Sequence, residues 1–183
     1  MNTANRITLI RIAMIPVFLF FFLTSFVPYS RYIAVLIFII AAATDGVDGH
    51  IARKYNQITD FGKFIDPLAD KILVVSALIG MVEYGMISSI AVIIIIAREF
   101  MVTGLRTVAV GSGKVIAAAF SGKLKTVIQI VVICVVITFY DLSLIFASIN
   151  LALQICIWIM VAITLYSGIE YIVKNKEVIN YKK

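Results

Sequence analysis

Apolar residues fill the chain in long runs, and only short polar or glycine-containing stretches interrupt them. Since a helix needs about 20 such residues to cross a bilayer core, the runs predict membrane-spanning helices near Ile7–Val27, Arg31–Ala52, Asp60–Glu83, Ile87–Val108, Leu124–Phe139 and Ser148–Val173. Turns are expected at Pro28-Tyr29-Ser30, Tyr84-Gly85 and Asp141-Leu142-Ser143, all on one side of the membrane. Both termini and two longer loops fall on the other side. The fold class predicted is all-α: an integral membrane bundle of six transmembrane helices, with both termini cytoplasmic. No Pro/Gly/Ser-rich linker, low-complexity tract or repeat divides residues 1–183, so one domain is expected. The first run is too long for a signal peptide and no small-residue cleavage pattern follows Val27, so it is read as a retained helix.

Composition strengthens this reading. The chain is 62% hydrophobic and 14% charged, far from the balance of a soluble domain. Its net charge of +6 would suit nucleic acid or anionic lipid, and in so apolar a chain the lipid surface is favoured and nucleic acid is not expected. Of the 16 Lys and Arg residues, all but Arg31 lie on the side carrying the termini or on helix ends facing it. The positive-inside rule therefore predicts a multi-pass protein of the cell membrane whose polar centre opens to the cytoplasm. Cys134 and Cys156 sit within apolar runs with no CxxC or Cys/His spacing, which makes them packing residues.

The chemistry concentrates between Asp45 and Asp70, in the pattern DGVDGHIAR, KYNQITDF, GKFIDPLAD. Asp45 and Asp48 are spaced i,i+3 and Asp66 and Asp70 i,i+4, so on two helices each pair shares a face. The short connection makes those helices antiparallel neighbours and brings four acids together. Two carboxylates about 5 Å apart repel by roughly 3 kcal/mol at an effective dielectric of ~20. Such a cluster takes up protons or binds cations, and oxygen-only ligation selects hard ions such as Mg²⁺, Mn²⁺ or Ca²⁺ over zinc. If Arg31 marks the outer edge, Asp45 lies roughly 20 Å along its helix, within the inner leaflet, where ionised groups imply a water-filled cavity. Gly49 and Gly62 remove side chains beside the acids and permit close approach. Structural roles compete for single members: Asp60 and Asp66 also read as helix N-caps, Asp66 with Pro67 behind it, and Arg53 or Lys71 would make ordinary ion pairs. None of these accounts for the whole set. His50 reads as a bystander, and an EF-hand is excluded because no loop alternation or closing Glu is present.

A second polar stretch runs from Arg98 to Lys125. Arg98 and Glu99 interrupt the fourth apolar run, Arg106 follows two turns on, a loop carries Lys114, and Gly122-Lys123-Leu124-Lys125 opens the fifth helix, with Gln129 one turn beyond. This cluster either anchors anionic headgroups or forms a pocket for a phosphate-bearing substrate; Lys123 and Lys125 at a helix N-terminus, where free N–H groups and the dipole attract anions, favour the pocket. Asn150, Gln154 and Trp158 in the last run read as helix-packing contacts.

Asp45, Asp48, Gly49, Ala52, Arg53, Gly62, Asp66 and Asp70 together match D-x2-D-G-x2-A-R-x8-G-x3-D-x3-D at every fixed position. The stretch resembles the CDP-alcohol phosphotransferase signature. Asn5, Thr8 and Arg11 in NRITLIR, REF at Arg98, and GKLKTVIQ resemble the bacterial phosphatidylglycerophosphate synthase branch, although Asn2-Thr3-Ala4 stands where many members have Asn-Ile-Pro. The resemblance implies two divalent cations, Mg²⁺ or Mn²⁺, held by Asp45, Asp48, Asp66 and Asp70. It implies CDP-diacylglycerol bordered by Gly49, Ala52, Arg53 and Gly62 with Asn5, Thr8 and Arg11 close by, and Asp70 as general base for an alcohol acceptor. It further implies glycerol 3-phosphate as that acceptor and a homodimer; the charge of Arg106, Lys123 and Lys125, more than a neutral alcohol would require, makes these three the expected ligands of the acceptor phosphate. With no Cys or Ser nucleophile beside the acids, direct displacement is expected. Serine, inositol phosphate or a second lipid are the alternative acceptors. A metal-ion transporter is the alternative outside the enzyme class, but it would want acids near the midplane with access from both sides. A structural lipid-binding scaffold would not need the acids.

Overall fold

In the computed structural model the backbone is described for residues 3–24, 26–54, 60–111 and 120–176, and side chains for 6–24, 26–44, 65, 68–109 and 120–176. The described residues form six helices: α1 (Thr3–Leu23), α2 (Ser30–Lys54), α3 (Asp60–Glu83), α4 (Ser89–Gly111), α5 (Phe120–Ile145) and α6 (Ala147–Lys174). Among them three are long and apolar enough to cross a membrane: α1 over Arg6–Leu23, α5 and α6. α2 is apolar over Ser30–Thr44 before its charged end begins.

Several expected boundaries move, and α5 starts at Phe120, a turn before the expected Leu124. The expected turn at Asp141-Leu142-Ser143 is helical, and α5 continues to Ile145. Asp141 does not need a turn to satisfy its charge because it pairs with Arg31 of α2. The break falls instead at Phe146, whose extended backbone (φ −114°, ψ 111°) separates α5 from α6. At the other end α1 begins at Thr3 and stops at Leu23, a turn earlier than expected, and Tyr29 then takes a positive φ of 61° before α2. The turn after α3 is where the sequence puts it, with Gly85 at φ 67°, a conformation that favours glycine.

The chain divides into two compact units. One comprises residues 1–86 with the segment Ile133–Asp141 of α5. Here α1 packs on both α2 and α3, which meet each other less extensively than either meets α1. Small buried residues on the facing helices, Ala34 and Ala41 on α2 and Ala69 and Ala77 on α3, let the large side chains of α1 in. Phe18 stacks on Phe22 at 5.4 Å and meets Phe38 at 5.5 Å. Phe22 lies against Gly80, where a Cβ would stand 2.7 Å from its ring. At this end of the unit the Arg31 guanidinium lies 5.1 Å and 5.2 Å from the ring centres of Tyr84 and Tyr140, and the Tyr140 hydroxyl donates to the Tyr84 carbonyl at 2.5 Å.

The other unit comprises Ile87–Val132 and residues 142–183. α4 and α6 pack together, and Ala91, Ile95 and Val102 of α4 and Ile157, Met160 and Val161 of α6 are all buried. Polar residues are buried with them: Arg98, Lys125, Gln129, Thr164 and Ser167.

Candidate functional site

Helix registers set the acid-bearing end of the first unit. Arg11 donates from Nε to Thr44 Oγ1 at 3.1 Å, and Phe18 meets Phe38, which makes α1 and α2 antiparallel with Thr8 level with Val47 and Asp48. The C-terminal end of α1 meets the C-terminal end of α3 through Phe22, Gly80 and Tyr84, and the two helices pack along each other, which makes them parallel. Stepping back equally along both from the contact of Phe22 with Gly80 places Thr8 level with Asp66, and Arg11 level with Ala69, next to Asp70. The polar face of α1 therefore lies at the height of all four aspartates. Asp45 and Asp48 are both helical in α2, and Asp66 and Asp70 in α3, so the expected sharing of a face within each pair holds for the backbone.

Thr8 and Arg11 have no exposed surface, and Asp70 is half-buried beside the buried Ala69. A guanidinium withdrawn from solvent in an apolar unit is costly without hydrogen bonds and nearby negative charge. Arg11 is thus held where the sequence concentrates carboxylates, one of its bonds going to the residue before Asp45. The side chains of Asp45, Asp48 and Asp66, with Asn5, Gly49, Ala52, Arg53 and Gly62, lie outside the described residues. The donor chemistry is nonetheless uniform: four carboxylates, and one His in the whole chain. Such a set fits hard divalent cations. The pocket of about 510 Å³ in this unit lies at the opposite end, between α1 and α3, and is lined mainly by apolar groups with Ser76 and Glu83.

The second unit gathers a different set. Glu99 Oε1 accepts from Arg98 Nη1 at 3.1 Å and from Lys125 Nζ, while Arg98 Nη2 donates to Ser167 Oγ at 2.8 Å. This node ties α4, α5 and α6 together. Of the residues expected to hold the acceptor phosphate, Lys125 is buried at 3% exposure and paired with Glu99. Arg106 is exposed and lies 5.6 Å from the ring centre of Tyr171, and Lys123 is exposed at the start of α5. The sequence marks Arg98 and Glu99 as cavity-lining charges but does not reveal Ser167 or Gly168 as their partners. A Cβ on Gly168 would stand 2.9 Å from Arg98 Cγ, so the arginine stem lies directly on the glycine.

Comparison with known proteins shows the family. The CDP-alcohol phosphatidyltransferase family profile matches residues 1–177. A Bacillus subtilis relative named CDP-diacylglycerol–glycerol-3-phosphate 3-phosphatidyltransferase is 43% identical over 187 aligned positions, covering 96% of this chain and 96% of the relative. Relatives of the same name from Rickettsia bellii and Haemophilus influenzae are each 36% identical, covering 93% of this chain and 93% and 91% of theirs. With its eight-residue acidic signature carried on α2 and α3 and a match along almost its whole length, the chain belongs to the CDP-alcohol phosphatidyltransferase family.

Proposed function

We propose that this protein transfers the phosphatidyl group of CDP-diacylglycerol to glycerol 3-phosphate, giving phosphatidylglycerophosphate and CMP in phospholipid biosynthesis. The observation that carries the reading is the meeting of Thr8 and Arg11 with the signature helices at one level of the first unit, in a chain 43% identical to a phosphatidyltransferase of that specificity. Asp45, Asp48, Asp66 and Asp70 would hold two divalent cations, Mg²⁺ or Mn²⁺, which when bound neutralise charge on the phosphoryl oxygens and the departing phosphate. Thr8 and Arg11, with Asn5, Gly49, Ala52, Arg53 and Gly62, bind and orient the nucleotide end of the donor. Asp70 accepts the proton of the acceptor hydroxyl. The oxygen so freed attacks phosphorus in line with the bond to CMP, which leaves as that bond breaks. No enzyme nucleophile takes part, since the signature stretch offers none.

Arg106, Lys123 and Lys125 of the second unit bind the phosphate of the acceptor. Their positive charge favours glycerol 3-phosphate over a neutral alcohol, since each charge-assisted contact to the phosphate adds affinity that serine cannot use. We place all six helices across the cell membrane as a single domain, both termini and the aspartates on the cytoplasmic side, and read the protein as a homodimer; the charge asymmetry supports the orientation and the family resemblance the dimer. The acceptor is tested by incubating purified protein with CDP-diacylglycerol and, separately, glycerol 3-phosphate, serine or inositol phosphate. CMP release with glycerol 3-phosphate is the expected result. CMP release with only one of the others would reassign the acceptor.

A further inference from the structure

Where α4 and α6 pack together, each contributes a row of side chains at helical spacing. On α4, Arg98, Val102 and Arg106 follow one another at i,i+4; on α6, Ser167 and Gly168 are followed one turn on by Tyr171. The rows meet first where Arg98 lies on Gly168 and donates to Ser167, and again where the Arg106 guanidinium stands 5.6 Å over the centre of the Tyr171 ring. Tyr171 is 3% exposed, and Asn175 Nδ2 donates to its carbonyl at 2.7 Å, which holds its backbone at the end of α6. Arg106 is exposed and makes no ion pair or hydrogen bond among the described residues. The described acids of this unit have other partners: Glu99 pairs with Arg98 and Lys125, and Glu170 with Lys174. An aromatic face, and not a carboxylate, therefore orients this guanidinium. The Tyr171 hydroxyl is buried with no hydrogen-bond partner among the described residues, a cost that phenylalanine would avoid, so what the position uses is the ring.

We infer that Tyr171 is a positioning residue for the acceptor: its ring holds the Arg106 guanidinium by cation–π attraction, so that the guanidinium is oriented before the phosphate of glycerol 3-phosphate arrives. The inference deepens the proposed function and rests on the assignment of Arg106 to the acceptor phosphate. A guanidinium held by its face keeps its N–H donors for a phosphate, which it can take bidentately. An arginine free in solvent would lose rotamer freedom on binding that phosphate, and contact with the ring removes part of the loss beforehand. Tyr171 itself touches no substrate in this scheme. A ring that served only as packing would act through its volume and not through the charge of its face.

Steady-state kinetics of the full-length protein with both substrates varied separate these cases. Tyr171→Leu is expected to raise KM for glycerol 3-phosphate roughly fivefold while leaving KM for CDP-diacylglycerol and kcat within about twofold. In an Arg106→Gln background it should add nothing further to that KM, because the cation it positions is gone. Tyr171→Phe, which keeps the ring and loses only the unpartnered hydroxyl, should hold KM within about twofold. Successive fluorination of that phenylalanine ring leaves its size nearly unchanged and drains negative charge from its face, so it should raise the acceptor KM stepwise. This series keeps the test open should Tyr171→Leu fail to fold. An acceptor KM unmoved by Tyr171→Leu or by fluorination, equal losses toward both substrates, or a Tyr171→Phe protein as impaired as Tyr171→Leu would overturn the inference. Arg106→Gln alone locates the failure. If it raises the acceptor KM and the ring variants do not, only the positioning role falls; if it does not, the assignment of Arg106 to the acceptor falls as well.

Discussion

Arg11 has no exposed surface, yet it lies in a helix whose neighbours are phenylalanine and isoleucine. What retains such a residue is the polar end of α2 beside it, and the same reasoning assigns the aspartates distinct tasks. Replacing Asp45, Asp48, Asp66 or Asp70 by Asn should each remove nearly all CMP release. Asp70→Asn should keep more affinity for Mn²⁺ than the other three, because proton abstraction is the main role proposed for it. Calorimetric titration of Mn²⁺ into the four variants checks this, and equal loss of binding in all four would contradict it. Gly80 makes a residue-scale prediction about stability. A methyl group there would stand 2.7 Å and 2.9 Å from two carbons of the Phe22 ring, which is itself wholly buried. Gly80→Ala should cost about 1–3 kcal/mol, read as a lower midpoint of thermal unfolding in detergent. Placing it in a Phe22→Leu background should recover part of the loss.

The proposed six-span topology alternates the helices in direction along the chain, and it makes a prediction at the scale of the element. With Cys134 and Cys156 replaced, single cysteines at Tyr29 and Phe146 should react with an impermeant thiol reagent in intact cells, and those at Phe120 and Lys176 only after lysis. Tyr29 and Phe120 are 77% and 79% exposed, so poor accessibility of the side chain does not confuse the result. The reverse pattern would invert the orientation, and Tyr29 and Phe146 reacting on opposite sides would remove the even number of crossings between them. The helices were largely legible because each follows an apolar run, and the placement of the four aspartates on α2 and α3 because i,i+3 and i,i+4 spacing is helical spacing. The α5–α6 boundary was not. Asp141 looks like a turn residue in isolation, and the Arg31 that satisfies it is 110 residues away, while Phe146, where the helix does break, carries no breaker signature. The node shows the same limit: Arg98 and Glu99 stand out as charges in an apolar run, but Lys125 lies 26 residues after Glu99 and Ser167 lies 69 after Arg98. Sequence spacing reports on one helix; partners on three helices follow from packing.

For the whole molecule, the account assigns donor chemistry to the first unit and acceptor recognition to the second, so variants in the two should separate kinetically. Neutral replacements of Arg106 or Lys123 should raise KM for glycerol 3-phosphate roughly ten- to a hundredfold, the equivalent of about 1.5–3 kcal/mol per lost charge-assisted contact. KM for CDP-diacylglycerol should move far less. Loss of affinity for the liponucleotide alone would make this cluster part of the donor site or a headgroup anchor. The central claim, that the aspartate-bearing end of α2 and α3 carries out phosphatidyl transfer to an alcohol, is tested most directly by the stoichiometry of the reaction in reconstituted vesicles. Wild-type protein given CDP-diacylglycerol, glycerol 3-phosphate and Mg²⁺ should release one CMP for each phosphatidylglycerophosphate formed, none without the acceptor, and almost none as Asp45→Asn. Equal CMP release with the acceptor omitted, or full turnover by the Asp45→Asn protein, would contradict it.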